Sequence, residues 1–327
     1  MIARSLPLSR RALVASALAL SVMGAAPARA QNPSEIRVDY ATYNQVSLVL
    51  KERKLLEKEF EKDKINVRWV FSAGSNKALE FLNAGSIDIG STAGAAALVA
   101  RINGNPVKSV GVFSRPEWTA LVTGGKSTIA KVEDLKGKKV AVTRGTDPHI
   151  FLVRALDKAG LTEKDVRLVL LQHADGKTAL VRGDVDAWAG LDPIMAQAEL
   201  DDGAKLLYRK AEDNTWGILN TRDDFAAKHP ELVKRVLKVY EEARLWAVAN
   251  PAEFRKLLVA ETKLPDPIIA RQLERTDLTH PAITADTTET ILQAGLALQK
   301  AGVVKADVDV KAVVGALIDT RFAVAGK

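Results

Sequence analysis

Two successive runs of alternating strand and helix patterns constrain the fold of this chain of 327 residues more than any other feature. The first run contains apolar strands predicted at 36–40, 65–71, 87–90, 107–113 and 119–123, and helices predicted at 46–62, near 79–82 and at 95–102. Strands that alternate with helices at these spacings are typical of mostly parallel sheets flanked by helices. The sequence therefore predicts an α/β protein.

A second run of the same kind follows residue 139. It contains strands predicted at 140–143, 166–171 and 185–191, and helices predicted at 150–159 and 178–181. The segment at 82–88 (LNAGSID) matches the segment at 180–186 (LVRGDVD), each joining a helix end to a strand. Such a turn is common enough to recur by chance, but the match favours two lobes built on one plan.

The last third of the chain is predicted to be almost entirely helical. Several of its predicted helices begin with proline at or near the first position, where the missing N–H costs nothing. A strand at 216–220 precedes them and returns to the first lobe, so the chain crosses between lobes near 115–119 and near 213–217. Two crossings predict a hinge. We expect a two-lobe fold of mostly parallel sheets, with the ligand in the inter-lobe cleft, lobe 1 at 31–117 and 216–327, and lobe 2 at 118–215.

The first thirty residues are typical of a secretory signal peptide. An arginine pair at 10–11 precedes an apolar run at 12–23, and Ala28-Arg29-Ala30 places small residues where a signal peptidase cleaves. About twelve apolar residues are fewer than the roughly 20 that a membrane anchor needs. The arginine pair is compatible with either Sec or twin-arginine export. We expect cleavage after Ala30 and a periplasmic protein.

Composition removes several classes of function. The formal charge of +7 includes four arginines of the leader, and without them 43 basic residues face 40 acidic ones, which leaves little electrostatic case for nucleic-acid binding. The chain has no cysteine, so it holds no disulfide, thiolate metal site or cysteine nucleophile. Common nucleophile-elbow, phosphate-loop and zinc-helix motifs are absent from the sequence, and the four histidines are scattered singly. We expect no enzyme, no metal and no cofactor.

Polar loops follow the carboxyl ends of several predicted strands. In open parallel sheets this edge binds ligands, and helix N-termini there offer N–H groups to anions. The loops are predicted at 42–45, 72–76, 91–94, 143–149 and 188–192. The candidate ligand-binding residues in them are Asn44, Gln45, Ser72, Ser75, Ser91, Thr92, Thr143, Thr146, His149, Trp188 and Asp192. Helix capping needs the same residue types, so each hydroxyl keeps two interpretations.

Three of these candidates have specific alternatives. Trp188 shares a strand face with Asp186 and either forms an apolar wall of the cleft or packs in the core. Asp192 precedes Pro193 and either caps the next helix or contacts the ligand or the opposite lobe. We expect His149 to donate a hydrogen bond to an anion rather than to bind a metal.

Four segments carry a resemblance to a known family. They are LNAGSIDIG at 82–90, DLKGKKVAV at 134–142, RGTDPH with the following helix at 144–156, and VDAW through DP at 185–193. Together with the leader and the two-lobe plan, they resemble periplasmic substrate-binding proteins of ABC importers. The most similar branch binds aliphatic sulfonates, and its relatives bind taurine, nitrate or thiamine precursors.

The resemblance implies a type II two-lobe fold and delivery of a small anion to a permease at the inner membrane. It implies that the sulfonate lies among Ser91, Thr92, Thr146 and His149, with Trp188 and Asp192 lining the second lobe. Neutral N–H and O–H donors suit such a strong-acid monoanion. At 91–94 this chain has STAG, where relatives often have Thr-Gly-Asp, so the ligand stays open.

Three alternatives to a sulfonate-binding transport component remain at this point. One is a binding protein for another small anion or heterocycle, such as nitrate, taurine or a thiamine pyrimidine precursor. Another is a ligand-sensing module of the same fold. The third is an enzyme like the relatives that make thiamine pyrimidine, but those use a cysteine-rich iron site and this chain has no cysteine. We expect a monomer.

Overall fold

The computed structural model of this chain describes residues 32–322. The predicted signal peptide and its cleavage site lie outside these residues. Within the described part, no helix has both the length and the apolar character that crossing a membrane requires.

Six strands form the sheet of the first lobe, in the spatial order β11-β4-β10-β3-β1-β2. They are β1 (Glu35–Tyr40), β2 (Asn66–Phe71), β3 (Ile89–Ala93), β4 (Val107–Pro116), β10 (Gly217–Arg222) and β11 (Thr276–Asp277). β1 pairs in parallel with β2 and β3, whereas β10 runs antiparallel between β3 and β4. The carboxyl ends of β1, β2 and β3 therefore share one edge.

Five strands form the sheet of the second lobe, in the order β7-β6-β8-β5-β9. They are β5 (Thr119–Thr123), β6 (Lys139–Val142), β7 (Arg167–Leu170), β8 (Ala187–Leu191) and β9 (Lys205–Tyr208). β6 is parallel to β7 and β8, and β5 runs antiparallel between β8 and β9. Three parallel strands beside one antiparallel return strand therefore occur in both sheets, which is the common plan that the internal match predicts.

Helices cover the faces of both sheets. Those of the first run are α1 (Gln45–Glu52), α2 (Leu55–Phe60), α3 (Ser75–Asn83) and α4 (Gly94–Ile102). Those of the second run are α5 (Asp147–Lys158), α6 (His173–Arg182) and α7 (Ile194–Asp202). The later helices are α8 (Asp223–Lys228), α9 (Pro230–Ala249), α10 (Pro251–Thr262), α11 (Asp266–Leu273), α12 (Ala285–Lys300) and α13 (Val310–Leu317).

Three local predictions differ from the structure. The helix predicted at 46–62 breaks into α1 and α2, because Lys54 adopts a left-handed backbone that turns the next apolar side chains back to the core. Ser91 and Thr92 lie inside β3 rather than in a loop, since β10, distant in sequence, pairs with them. α5 begins at Asp147, inside the predicted loop, with a proline in its first turn.

The apolar core follows the division into two sheets. One large cluster surrounds the first sheet, and two smaller clusters lie in the second lobe. The strands of the first sheet fall within 35–116, 217–222 and 276–277, and those of the second between 119 and 208. We retain 31–117 with 216–327, and 118–215, as the proposed lobes.

Candidate functional site

The two lobes meet where the turn before α3 faces the N-terminus of α6. A Cβ added at Gly74 would lie 2.9 Å from Nε2 of His173 and 2.8 Å from Oδ1 of Asn76. A Cβ added at Gly145, in the turn after β6, would lie 3.8 Å from Cβ of Asn76. A turn of the first lobe thus contacts two helix starts of the second, and these turns are at the carboxyl ends of β2, β6 and β7.

Five buried polar atoms of residues at or beside this contact have no hydrogen-bond partner among the described residues. They are Oγ of Ser72, Oδ1 of Asn76, Oε1 of Gln172, Nε2 of His173 and Nε1 of Trp188. The indole nitrogen lies under the first turn of α6, 2.7 Å from where a Cβ of Gly176 would be. Buried polar atoms without partners are rare because each costs free energy. Their concentration at an inter-lobe contact makes this place the candidate site for a polar ligand.

The tautomer of His173 follows from its hydrogen bond with Thr143. Oγ1 of Thr143 lies 2.7 Å from the Leu171 carbonyl oxygen, to which it donates, and 3.2 Å from Nδ1 of the imidazole. Because the hydroxyl has one proton and gives it to the carbonyl, Nδ1–H must donate to Oγ1. A neutral ring then presents a bare Nε2 to the cleft. Burial lowers the pKa of His173 to about 4, so the ring is neutral in the free protein.

A buried carboxylate occupies the end of β1. Oδ1 of Asp39 accepts a hydrogen bond from the Ser91 backbone N–H at 2.9 Å, and Oδ2 accepts one from the Ser91 hydroxyl at 3.0 Å. Burial raises the pKa of Asp39 to about 7, although the bonds from Ser91 and the nearby Ser72 hydroxyl lower it. The hydroxyl of Ser91 is therefore engaged with Asp39 in this structure.

A second buried carboxylate joins the start of α5 to both chain crossings. Oδ2 of Asp147 accepts from Nε1 of Trp118 at 2.8 Å and from the Thr215 backbone N–H at 3.0 Å. Oδ1 accepts from the Thr215 hydroxyl at 2.6 Å. Trp118 and Thr215 lie in the two segments that connect the lobes. The turn that precedes α5 is thus fixed to the predicted hinge.

Asp192 makes two of its three predicted kinds of contact. Its Oδ1 accepts from the Ala196 backbone N–H at 2.9 Å, which caps α7. Both of its oxygens lie 3.3 Å from Nη1 of Arg275, which follows α11 and also pairs with Glu199 on α7. Burial raises the pKa of Asp192 to about 7, and Arg275 opposes that rise. Asp192 therefore caps α7 and forms an ion pair with Arg275 of the other proposed lobe.

The sequence of this chain is similar to those of known proteins. Residues 59–254 match the model of the NMT1/THI5-like family. The chain belongs to this family. It is 34% identical over 258 residues, 78% of this chain and 80% of the relative, to the Escherichia coli (strain K12) protein named "Putative aliphatic sulfonates-binding protein".

Solved structures agree with this family assignment. The alkanesulfonate-binding protein of Xanthomonas axonopodis pv. citri, bound to MOPS, superposes with a TM-score of 0.80 at 26% identity, over 88% of this chain and 99% of that one. The periplasmic aliphatic sulphonate binding protein of Escherichia coli gives a TM-score of 0.73 at 29% identity, over 86% and 97%. The predicted two-lobe fold and the family resemblance are confirmed.

Several candidates of this NMT1/THI5-like protein hold backbone or side-chain partners of their own. Asn44 caps α1 through Ser47 N–H, Thr92 donates to the Ala93 carbonyl, and Thr146 donates to the Thr143 carbonyl. Oγ of Ser75 accepts from Ala93 N–H at 3.0 Å. These contacts support the capping or structural interpretation for these four residues. Gln45 reaches Thr276 at 3.4 Å, and its Oε1 is unpaired among the described residues.

Two predictions need correction. Nε2 of His149 lies 2.8 Å from Oε1 of Glu163, so this ring nitrogen is engaged with a carboxylate and not with an anion site in this structure. The ring of Trp188 does not form an exposed cleft wall: it is fully buried in a cluster with Val122, Leu180 and Met195. Only its Nε1 edge lies under the first turn of α6. The Thr143 hydroxyl contacts the Leu171 carbonyl and the His173 ring.

The sequence prediction missed His173 and Asn76. Asn76 lies within the loop predicted at 72–76, in which only the serines are candidate ligand-binding residues. His173 lies two residues after the strand predicted at 166–171, and the loop at that strand end is not one of the five predicted loops. The same rule, a polar residue at the carboxyl end of a parallel strand, would have found it.

Proposed function

We propose that this protein is the solute-binding component of an ABC importer, which captures an aliphatic sulfonate between its lobes and delivers it to the permease at the inner membrane. The relatives named above support this proposal, since they are sulfonate-binding proteins by name. The observation that carries it is the group of unpaired buried polar atoms contributed by both lobes: Ser72, Asn76, His173 and Trp188.

The chemistry of these groups suits a sulfonate. The Ser72 hydroxyl and the Trp188 indole N–H are neutral donors, and the sulfonate oxygens can accept from both at once. The unpaired atom of Asn76 is the acceptor Oδ1, so this amide donates to a sulfonate only when its Nδ2 turns towards the ligand. The starts of α3 and α6 also face this contact, and helix N-termini favour negative charge. A strong-acid monoanion therefore exchanges its hydration for protein donors without needing a permanent countercharge.

Closure of the lobes follows from a ligand held on both sides. A ligand that contacts Ser72 and Asn76 on one lobe and His173 on the other favours the closed state by its differential affinity. The crossings near 115–119 and 213–217 are the proposed hinge. The closed form is the one that we expect the permease to recognise.

Location and assembly complete the proposal. We propose that residues 1–30 direct the chain to the periplasm, by Sec or twin-arginine export, and are cleaved after Ala30. The mature protein acts as a monomer and catalyses no reaction. The described residues 32–322 contain no group of three or more potential metal ligands.

A thermal-shift panel tests the ligand class. The panel holds ethanesulfonate, butanesulfonate, MOPS, taurine, nitrate, sulfate and butanoate as the matched carboxylate. A ligand at about 100 times its dissociation constant stabilises the folded state by about 2.7 kcal/mol, which a melting curve resolves. We expect the alkanesulfonates to stabilise most. Stabilisation by nitrate alone, or by taurine alone, would make that compound the ligand in place of the alkanesulfonates. The absence of a shift with every compound would refute the proposed function.

A pair of serine variants tests the place of binding. Ser72→Ala removes an unpaired hydroxyl of the site, and we expect it to weaken butanesulfonate binding by about 1–3 kcal/mol. Ser114→Ala is the matched control, because its hydroxyl is also buried and unpaired but lies beside Gly217. Calorimetry of both variants separates a ligand contact from a packing effect. Equal weakening in both would contradict the proposed site.

A further inference from the structure

His173 stands apart from the other unpaired groups because it can change its charge. Its ring is buried, its Nδ1 is held by Thr143, and its Nε2 faces the Gly74 turn of the opposite lobe. In the neutral tautomer fixed by Thr143, Nε2 carries a lone pair. A lone pair repels the oxygens of an anion, so the neutral ring opposes the ligand that its neighbours favour.

We propose that His173 takes up a proton when the sulfonate binds, so that its Nε2–H donates to the anion and ligand binding is coupled to proton uptake. This inference rests on the proposed function. The imidazolium keeps the bond from Nδ1–H to Thr143 and gains a second N–H directed into the cleft. The ligand then supplies the countercharge that the buried ring lacks in the free protein.

A change of tautomer is the competing route. For a neutral ring to carry its proton on Nε2, Nδ1 would have to accept from the Thr143 hydroxyl. That hydroxyl would then lose its bond of 2.7 Å to the Leu171 carbonyl. Protonation keeps both bonds, which favours it whenever an anion can stabilise the charge.

The charged groups on the surrounding elements do not bond to the ring. On α6, Asp175 is exposed. On the elements packed against it, Lys77 of α3 pairs with Glu80 at 2.7 Å, and Arg144 after β6 pairs with Glu163 at 3.5 Å. Asp39 lies at the end of β1, where both its oxygens accept from Ser91. The hydrogen bond of the ring to Thr143 is its only one among the described residues.

The sign of the pH dependence follows from this coupling. The pKa of His173 is about 4 in the free protein and must be higher with an anion on Nε2. Between these two values the protein binds more protons with ligand than without, so affinity rises as pH falls, by at most tenfold per pH unit. Sulfonates stay ionised over this range, whereas carboxylates begin to protonate. The site therefore selects anions of strong acids.

Calorimetry with butanesulfonate tests the coupling. The parent, His173→Gln and His149→Gln are titrated from pH 5 to pH 8, in buffers that differ in ionisation enthalpy. We expect the parent and His149→Gln, the matched control outside the site, to take up as much as one proton and to bind more tightly at low pH. His173→Gln keeps an N–H donor but cannot titrate, so its proton uptake and pH dependence should be lost.

The outcomes separate this inference from the proposed function. Binding by the parent without proton uptake, or uptake that persists in His173→Gln and so belongs to a group such as Asp39, overturns the inference alone. Failure of butanesulfonate to bind the parent at any pH overturns the proposed function. If His173→Gln does not fold, the imidazole NMR shifts of the parent with ligand decide, because an imidazolium supports the proposal and a neutral ring refutes it.

Discussion

The carboxylate of Asp147 connects the second-lobe turn before α5 to both chain crossings, and its removal tests that connection. Asp147→Ala removes the acceptor of three hydrogen bonds, from Nε1 of Trp118 and from the backbone and hydroxyl of Thr215. The hydroxyl can rotate to another acceptor. The two N–H groups cannot rotate and remain buried without a partner.

The size of the effect follows from these two groups. Each buried donor left without an acceptor costs about 1–3 kcal/mol, so two cost about 2–6 kcal/mol. The variant also removes a buried carboxylate. Burial makes the charged form of this carboxylate unfavourable, and this raises the pKa of Asp147. We therefore expect a loss of about 2–4 kcal/mol in the free energy of unfolding, and a fall in Tm of roughly 5–10 °C.

Thermal and urea unfolding of three proteins checks this estimate. Asp147→Asn is the matched control, because its amide oxygen can still accept from both N–H groups. We expect it to lose no more than about 1 kcal/mol. An alanine variant that melts with the parent, or an asparagine variant that loses as much as alanine, would refute the role assigned to these hydrogen bonds.

Three further predictions concern buried groups near the site. Gly176→Ala should cost about 1–3 kcal/mol, because its Cβ would lie 2.7 Å from Nε1 of Trp188; a melting temperature equal to that of the parent would contradict this packing. Asp39→Asn should gain stability relative to the parent as pH rises from 4 to 8, because the parent's carboxyl, with its pKa raised to about 7, becomes a buried charge; urea unfolding at both pH values should show a difference that changes. Arg275→Met should cost about 3–5 kcal/mol by leaving Asp192 unpaired, and adding Asp192→Asn should recover part of it; strictly additive losses would mean that the pair does not interact.

The architecture is largely predictable because it follows from local periodicity. Apolar runs of four to seven residues separated by helical patterns identify most strands of both sheets. The match of 82–88 with 180–186 lies at the same helix-to-strand step in both lobes. Periodicity does not predict where a strand ends when its partner strand is distant in sequence. β3 extends to Ala93 because β10, more than 120 residues later, pairs with it.

The site is predictable only as an edge of the sheet. Polar turns at strand ends locate the cleft, but the use of each hydroxyl depends on partners that are remote in sequence. Ser91 bonds to Asp39, 52 residues away, and His149 bonds to Glu163 on a neighbouring turn. Trp188 is buried because α6 lies over it, and nothing on its own strand indicates that cover. Local sequence therefore names more candidates than the cleft can use.

Buried aspartates account for much of this selection. Asp39 engages Ser91, and Asp147 engages Trp118 and Thr215, so donors that could have faced a ligand already bond to carboxylates. A negative charge beside an anion site would oppose binding unless its own donors screened it, or unless it were protonated, as the raised pKa of Asp39 favours near neutral pH. Ser72 also lies beside Asp39, and its hydroxyl lowers the pKa of that carboxyl. Protonation of Asp39 would therefore leave the Ser72 hydroxyl, in the turn that also holds Asn76, free to donate to an anion between the lobes.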